Sequence, residues 1–403
     1  MQPLGSPALM AAYHAHLLEP HDYDLFVDVL DMEENVLASA DLLDGQINIL
    51  ADADVRRTAS LRLLDPDHSL GLDAGSVYSS ALFADRMVRI RHSVNVPGFG
   101  EVVATPFVGP VVRLNRNGST IDIECHDKTA LTILGTRPLA AQKGRYAVDA
   151  IEEIMESRCG ETRFRLPRGT RTRLRRHYAV GWSDEASPWA VCSRIAWAAG
   201  LRMLYSCDGY LTLTPRSTTP VFEFTEDALT SAVVGDHDFS GVINYARAEA
   251  GDKIVRTATA PPEHPLSPQN LGRNGVNRYL PSLAEVDAPP DRPTKPGTKR
   301  RKASKAQLNK YAQELEKWTD QVTTARARAQ ATADSLLAAG LPQTAALSFS
   351  AVPLFHLDVD DPIRLSTDEG VATLRFSEAT IPLVSGDMTV GARRRGAPSR
   401  IRR

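Results

Sequence analysis

The chain has 403 residues, enough for two to four domains at the usual ~150 residues each. Hydrophobic residues make up 42%, charged residues 24% and aromatics 6%, a globular composition that excludes disordered and collagenous chains. A net charge of -2 supplies no global field to recruit nucleic acid or a membrane. Four cysteines (Cys125, Cys159, Cys192, Cys207) without CxxC spacing argue against a disulfide framework and a zinc site. The N-terminus lacks the basic start and apolar run of a signal peptide. No window of about 18 apolar residues predicts a membrane span.

A helical opening is expected over 8–18. Period-two patterns then dominate to about residue 127, the mark of half-buried strands. Leu61 and Leu63 straddle Arg62, and Val88 and Ile90 alternate with Arg89 and Arg91. Ile121, Ile123 and Cys125 follow the turn Asn117-Gly118-Ser119, a hairpin signal. With no helical crossover among them, these strands predict an antiparallel barrel or sandwich.

From 128 to 235 the period turns helical. Val148, Ile151, Ile154 and Met155 share one face. A second helix has Ser187 as N-cap, Pro188 at its first position, an apolar face of Trp189, Cys192, Ile195, Ala196 and Ala199, and Gly200 at its end. Strands at 201–205 and 210–214 flank the turn Cys207-Asp208-Gly209, which makes this a small α+β domain.

Strands resume at 242–248 and 253–259. A Pro-rich, basic loop or arm over 261–302, too poor in apolar residues to order alone, leads into a long helix over 303–339. Gly340 and Pro342 end it. Strands return at 346–352, 363–365, 371–376 and 378–384 before a basic tail. Asp85-Arg86-Met87-Val88-Arg89-Ile90 is echoed by Asp361-Pro362-Ile363-Arg364-Leu365. The echo is either chance between similar strands or the trace of two copies of one barrel.

Catalytic constellations are missing from the sequence: there is no GxxxxGK[ST] loop, no HExxH pair and no GxSxG elbow. No cofactor is expected, and the chain reads as a non-enzyme. Asp358, Asp360 and Asp361 mimic part of a calcium loop, but Ile363 stands where the loop needs glycine; a turn before the strand at Ile363 is the favoured reading. The run Arg163, Arg165, Arg168, Arg171, Arg173, Arg175 and Arg176 is a candidate basic contact surface, for phosphates or for an acidic protein partner. The Lys299-Arg300-Arg301-Lys302 block and the arginines of 393–403 are read the same way. On the long helix a heptad stripe runs through Leu308, Tyr311, Leu315, Trp318, Val322, Ala325, Ala329 and Leu336. It either lies on its own domain or meets another subunit, and Leu308, Tyr311, Leu315, Trp318 and Val322 are its candidate partner interface.

The order of these features resembles the tail-hub or baseplate-hub proteins, also called minor tail proteins, of tailed bacteriophages and related injection machines. The resemblance rests on Ala59-Ser60-Leu61-Arg62-Leu63-Leu64-Asp65-Pro66 followed by 85–90, on 118–127, and on the helix-then-strand stretch 189–209. It continues through 325–337, Val352-Pro353-Leu354, Asp361-Pro362-Ile363 and Ile381-Pro382-Leu383, covering about 24–395. The segment 261–320 departs from it, being longer than the connection such proteins have there.

The resemblance implies a mainly β fold with α+β: two tube-like antiparallel β-barrel domains flanking a small α+β domain, plus one long helix. The expected division is an N-terminal helical segment 1–21, a first barrel 22–127, an α+β domain 128–235, a second barrel 236–392 with the arm and helix inserted at 261–340, and a tail 393–403. It further implies a homotrimer at the virion tail tip, assembled in the host cytoplasm, that adapts the six-fold tube to a three-fold tip and lines the DNA path. Implied partners are the tail-tube and distal tail proteins, the tape-measure protein and tip or receptor-binding proteins, with DNA only in transit and no membrane insertion. The alternative function is a tail-tip cell-wall or polysaccharide hydrolase, which would need two carboxylates held ~5 to 9.5 Å apart in a cleft.

Overall fold

The computed structural model describes residues 2–394 except 3, 20, 52, 68–69, 71–81, 83–85, 135–137, 142, 168, 170–171, 175–176, 182, 184–185, 216, 218, 237–241, 252–253, 287–288, 297–303, 342–345 and 369. The chain divides into two compact units, one of Met1–Val234 with Leu347–Arg393 and one of Gly235–Ala346.

The first unit opens with helix α1 (Pro7–Leu17), whose N-cap Ser6 accepts a hydrogen bond from the Leu9 N–H. The helix is pinned by Tyr13 and Leu17, both buried, and by a 2.8 Å contact between the Nε2 atoms of His14 and His356. Six strands follow: β1 (Tyr23–Leu30), β2 (Val36–Leu50), β3 (Arg57–Leu64), β4 (Met87–Val96), β5 (Gly100–Asn117) and β6 (Thr120–His126). Their order β1-β4-β5-β6-β3-β2, with β2 pairing back onto β1, closes a barrel. The period-two pattern explains its filling. Leu61, Leu63, Val88, Ile90, Ile121, Ile123 and Cys125 all point into one core, while the alternate residues face outward. Gly118, at φ +61°, makes the tight β5–β6 turn that pairs Asn117 with Thr120.

The small α+β domain carries its own core. It is built from β7 (Leu139–Ala141), α2 (Ala147–Cys159), β8 (Phe164–Arg165), β9 (Tyr178–Val180), α3 (Pro188–Ala198), β10 (Leu201–Tyr205) and β11 (Leu211–Pro215). Val148, Ile151, Ile154 and Met155 are buried on α2, and the Ser187 hydroxyl caps α3 at Ala190, as the spacing predicts.

Next come β12 (Phe222–Phe224) and β13 (Val234–Asp236). The second unit then contributes β14 (Tyr245–Glu249), β15 (Val255–Thr259), β16 (Pro281–Glu285) and α4 (Lys305–Gly340). Its sheet has the order β15-β14-β16. Ala325, Ala329 and Ala333, one ridge of α4 at i, i+4 and i+8, pack with Ala248, Ala250, Ile254 and Ala258; side chains this small let helix and sheet approach closely. The arm is partly built into this unit. The Asn244 side chain donates to the carbonyls of Leu266 and Arg278 and accepts from the Leu280 N–H, and 281–285 adds the parallel strand β16 to β14.

The chain returns through β17 (Ala346–Ala351), β18 (Pro362–Thr367), β19 (Gly370–Pro382) and β20 (Met388–Arg394). With β12 and β13 these form a sheet in the order β12-β18-β19-β20-β17-β13. The boundaries therefore differ from the sequence expectation in two respects. The inserted unit opens at Gly235, not at 261, so β14 and β15 pair with each other and not with barrel strands. Conversely, β12, within the expected α+β segment, pairs with β18. Strand periodicity reports burial of one face; the identity of the neighbouring strand is a long-range property that it does not encode.

Candidate functional site

The strand order of the first barrel, 1-4-5-6-3-2, is repeated strand for strand by 12-18-19-20-17-13. One departure is that β12 runs parallel to β18, whereas β1 runs antiparallel to β4. The sequence echo falls at matching places: Val88 and Ile90 on β4, Ile363 and Leu365 on β18, all buried in the same core. The arginines between them also match. Arg89 bonds Asp28, its cross-strand partner on β1, and Arg364 lies 3.5 Å from Glu223, its cross-strand partner on β12. Asp85 lies outside the described residues.

The halves are joined by one more pairing, antiparallel, between β2 and β19, with Leu50 opposite Glu378 and Gln46 opposite Pro382. The Thr380 hydroxyl reinforces it by donating to Asn48 Oδ1 at 3.0 Å. The result is a continuous eight-stranded run, β5-β6-β3-β2-β19-β20-β17-β13. Its outward face carries two shallow grooves, one per half. The groove on the first half, about 450 Å³, is lined by residues 113, 115, 122–124, 60–62 and 44–46. The groove on the second, about 510 Å³, is lined by the corresponding rows 378–380, 389–391, 348–350 and 231, 232 and 234. The chemistry of both is muted. Arg62 and Arg113 are paired with Asp122 and Glu124, and serines, threonines and asparagines supply much of the rest. Among the described residues, no cluster of three His, Cys, Asp or Glu side chains has the geometry to hold a metal ion.

Behind this face, three domains of the first unit meet at buried ion pairs. Arg57 on β3 donates to the carbonyls of Pro106 and Leu357 at 2.7 Å and to the Asp358 carboxylate at 3.2 Å. Asp358 also accepts the Cys207 N–H of the α+β domain. Burial alone pushes the Asp358 carboxyl up, but surrounding positive charge, Arg57 and Arg202 included, holds it below the usual carboxylate range. Arg202 in turn bonds Asp361 and the Val359 carbonyl. Lys128 makes a second junction with Glu161, buried as it is itself, and with the half-buried Glu34. The acidic run weighed as a calcium loop is thus occupied by arginines, and its turn is the one formed by the Asp361 N–H on the Asp358 carbonyl.

The candidate basic surface is likewise engaged within the chain. Arg163 pairs with Glu34 and stacks on Tyr210, Arg165 grips Asp208 and stacks on the same ring, and Arg173 caps the Gly144 carbonyl over Tyr146. Arg168, Arg171, Arg175 and Arg176 lie outside the described residues, as do 299–302 and most of the C-terminal tail. The heptad stripe divides by position. Ala325 and Ala329 are buried and Val322 packs on their cluster, on the β14–β15 sheet and not on a barrel. Leu308 is exposed, and Tyr311, Leu315 and Trp318 are half-buried. Trp318 is held by the arm: its Nε1 donates to the Pro290 carbonyl at 2.8 Å and Arg292 lies over its ring. Trp318→Ala is accordingly expected to release the arm. Limited proteolysis should cut near 286–296 several times faster, while the helix content seen by circular dichroism stays unchanged.

Two solved structures share this fold over almost the whole chain, and both are tail proteins. One is the tail protein from Neisseria meningitidis MC58, at 12% identity with 92% of this chain and 97% of that chain covered and a TM-score of 0.55. The other is the 43 kDa tail protein of prophage MuSo2 from Shewanella oneidensis, at 11% identity, coverage of 93% and 99%, and a TM-score of 0.55. No family model and no curated protein sequence matches the chain.

Proposed function

We propose that this chain is a structural tail-hub protein, which sits at the phage tail tip as a homotrimer and adapts the six-fold tail tube to a three-fold tip. The observation that carries the reading is the duplicated strand order: a chain with two copies of one barrel presents six similar barrels when three chains assemble. The two structures with the same fold are both of tail proteins, which supports it. The outward sheet face suits a DNA path. Its arginines are paired with carboxylates, so it offers little unbalanced positive charge to grip passing phosphates. The role is structural and not catalytic, and its contacts are the tail-tube and distal tail proteins, the tape-measure protein and the tip or receptor-binding proteins.

The test is a reconstruction of the tail from intact particles. Three copies of this chain around the axis, immediately distal to the tube, are expected. Six copies, or a position along the tube shaft, would sink the reading.

A further inference from the structure

Five of the chain's ten histidines gather around the seat of α1: His14 and His16 on the helix, His21 just after it, His92 on β4, and His356 in the segment between β17 and β18. Two of them carry the contact that pins the helix. The Nε2 atoms of His14 and His356 lie 2.8 Å apart, and the rings stand 4.7 Å apart, centre to centre, at 28°. With both rings neutral, one Nε2–H donates to the other's lone pair. Burial chooses the direction. His356 is fully buried and its Nδ1 has no hydrogen-bond partner. A bare acceptor there is more easily tolerated than an orphaned N–H, so His356 carries its proton on Nε2 and donates to the half-buried His14. A further proton has no good place. On His14 Nε2 it sets a donor against a donor, and moving the His356 proton to Nδ1 to make room leaves a buried N–H without an acceptor.

The surroundings oppose charge on the pair. Burial holds both imidazoles below their ordinary value, His356 far below, and a charged His14 pushes His356 lower still. Tyr13 of α1 meets His356 edge-on at 5.6 Å with a buried hydroxyl that has no partner. From β12, Phe222 closes the side of His14 at 4.9 Å. From β4, His92 lies 4.3 Å from the Phe355 ring and is itself held down to about 3 by burial and by His21. The terminal amino group adds positive charge, while Asp358, the carboxylate acting on His356, is taken up by Arg57 and the Cys207 N–H. The rest of the attachment is apolar, through Leu9, Ala12, Tyr13 and Leu17. Among the described residues, no backbone hydrogen bond ties 7–17 to the remainder of the unit, so the helix can leave without breaking a strand pairing.

We infer that α1 is a latch released by acid: protonation of the His14–His356 pair frees the helix from its seat on the core while the barrel strands stay paired. The latch belongs to a single chain and is independent of the hub reading. Its sign follows from linkage. Release opens both rings to water, where an imidazole titrates at about 6.5. Docking is therefore at full strength above that value and weakens as pH falls below it, by at most about tenfold per pH unit for each histidine. Between pH 7 and pH 5 the two together supply up to about a thousand-fold. Asp358 is held below the usual carboxylate range and keeps its charge across this window.

The test is amide hydrogen exchange of the full chain at pH 7 and pH 5, corrected for the intrinsic rate at each pH. Protection in the last two turns of α1 should fall by about a hundred-fold or more, while that of β3 and β6 changes by less than about threefold. His14→Phe keeps a ring against Phe222, and His14→Gln keeps a hydrogen-bond partner for His356. Each removes one titrating group and should cut the ratio between the two pH values by about tenfold or more. His16→Gln, two residues on, is the control and should keep the whole response. Equal protection of α1 at both pH values overturns the latch, and so does a loss in β3 and β6 as large as that in α1. It is also overturned if both His14 variants, folded by circular dichroism at pH 7, keep the wild-type response, or if His16→Gln removes it.

Discussion

Arg57→Ala is expected to destabilise the first unit by about 3–5 kcal/mol, the usual loss when one partner of a buried ion pair is removed and the other left behind. The Arg57 side chain reaches from β3 to the carbonyls of Pro106 and Leu357 and to Asp358, so its loss frees two buried carbonyls and a carboxylate together. The pH dependence gives the sign. In the wild type the Asp358 carboxyl is held below its ordinary value; its contribution is therefore present above the unfolded value of about 3.9 and is lost as pH falls through the lower folded value. Without Arg57 one of the positive charges that offset its burial is gone, and the folded value rises from there. The penalty for the charged form is then largest near neutral pH and is relieved as the carboxyl protonates. The difference in urea midpoint between wild type and variant should be full at pH 7 and shrink as pH falls through the variant's folded value toward the wild type's lower one. A pH-independent difference would mean that Arg57 acts through packing alone. Arg57→Met/Asp358→Asn, which removes both charges, should recover a large part of the loss.

Local elements were readable in the sequence because their signals are local. The Ser187-Pro188 cap, the α2 face through Met155 and the Asn117-Gly118-Ser119 hairpin all depend on residues within a few positions of one another, and each stands where its spacing predicts. The repeat was faintly legible in Val88-Arg89-Ile90 and Ile363-Arg364-Leu365, since a strand flanked by the same neighbours keeps the same inward pair. What escaped was pairing at a distance. Nothing near 245–259 marks β14 and β15 as partners of each other and of β16 when they share the period of the barrel strands. In the basic run the same limit applies: the acids and rings that occupy Arg163 and Arg165, namely Glu34, Asp208 and Tyr210, are brought to them only by the fold. The buried charges Arg57, Lys128 and Glu161 were not singled out, because a lone charged residue in a strand or loop reads as solvated until its burial is known.

Gly109→Ala tests the closure of the first barrel at its tightest point. Gly109 sits on β5 opposite Val88, just before the strand leaves β4 and pairs with β6 from Val111 onward. A Cβ added there would lie 1.9 Å from the His126 carbonyl oxygen and 2.9 Å from the Asp127 Cα. Both obstacles are backbone, at the end of β6, so no side-chain rotation relieves the clash; β5 and β6 must separate. Overpacking a core with a movable neighbour costs about 1–3 kcal/mol, and a backbone obstacle places this variant at the upper end of that range or above. Gly181→Ala is the matched control. Among the described residues its added Cβ would meet only the Ala186 Cβ at 3.7 Å, ordinary contact, so its effect should stay within about 0.5 kcal/mol. Urea unfolding of the two variants beside wild type measures the contrast, and equal midpoints would show that the barrel tolerates a wider β5–β6 gap than its closure implies.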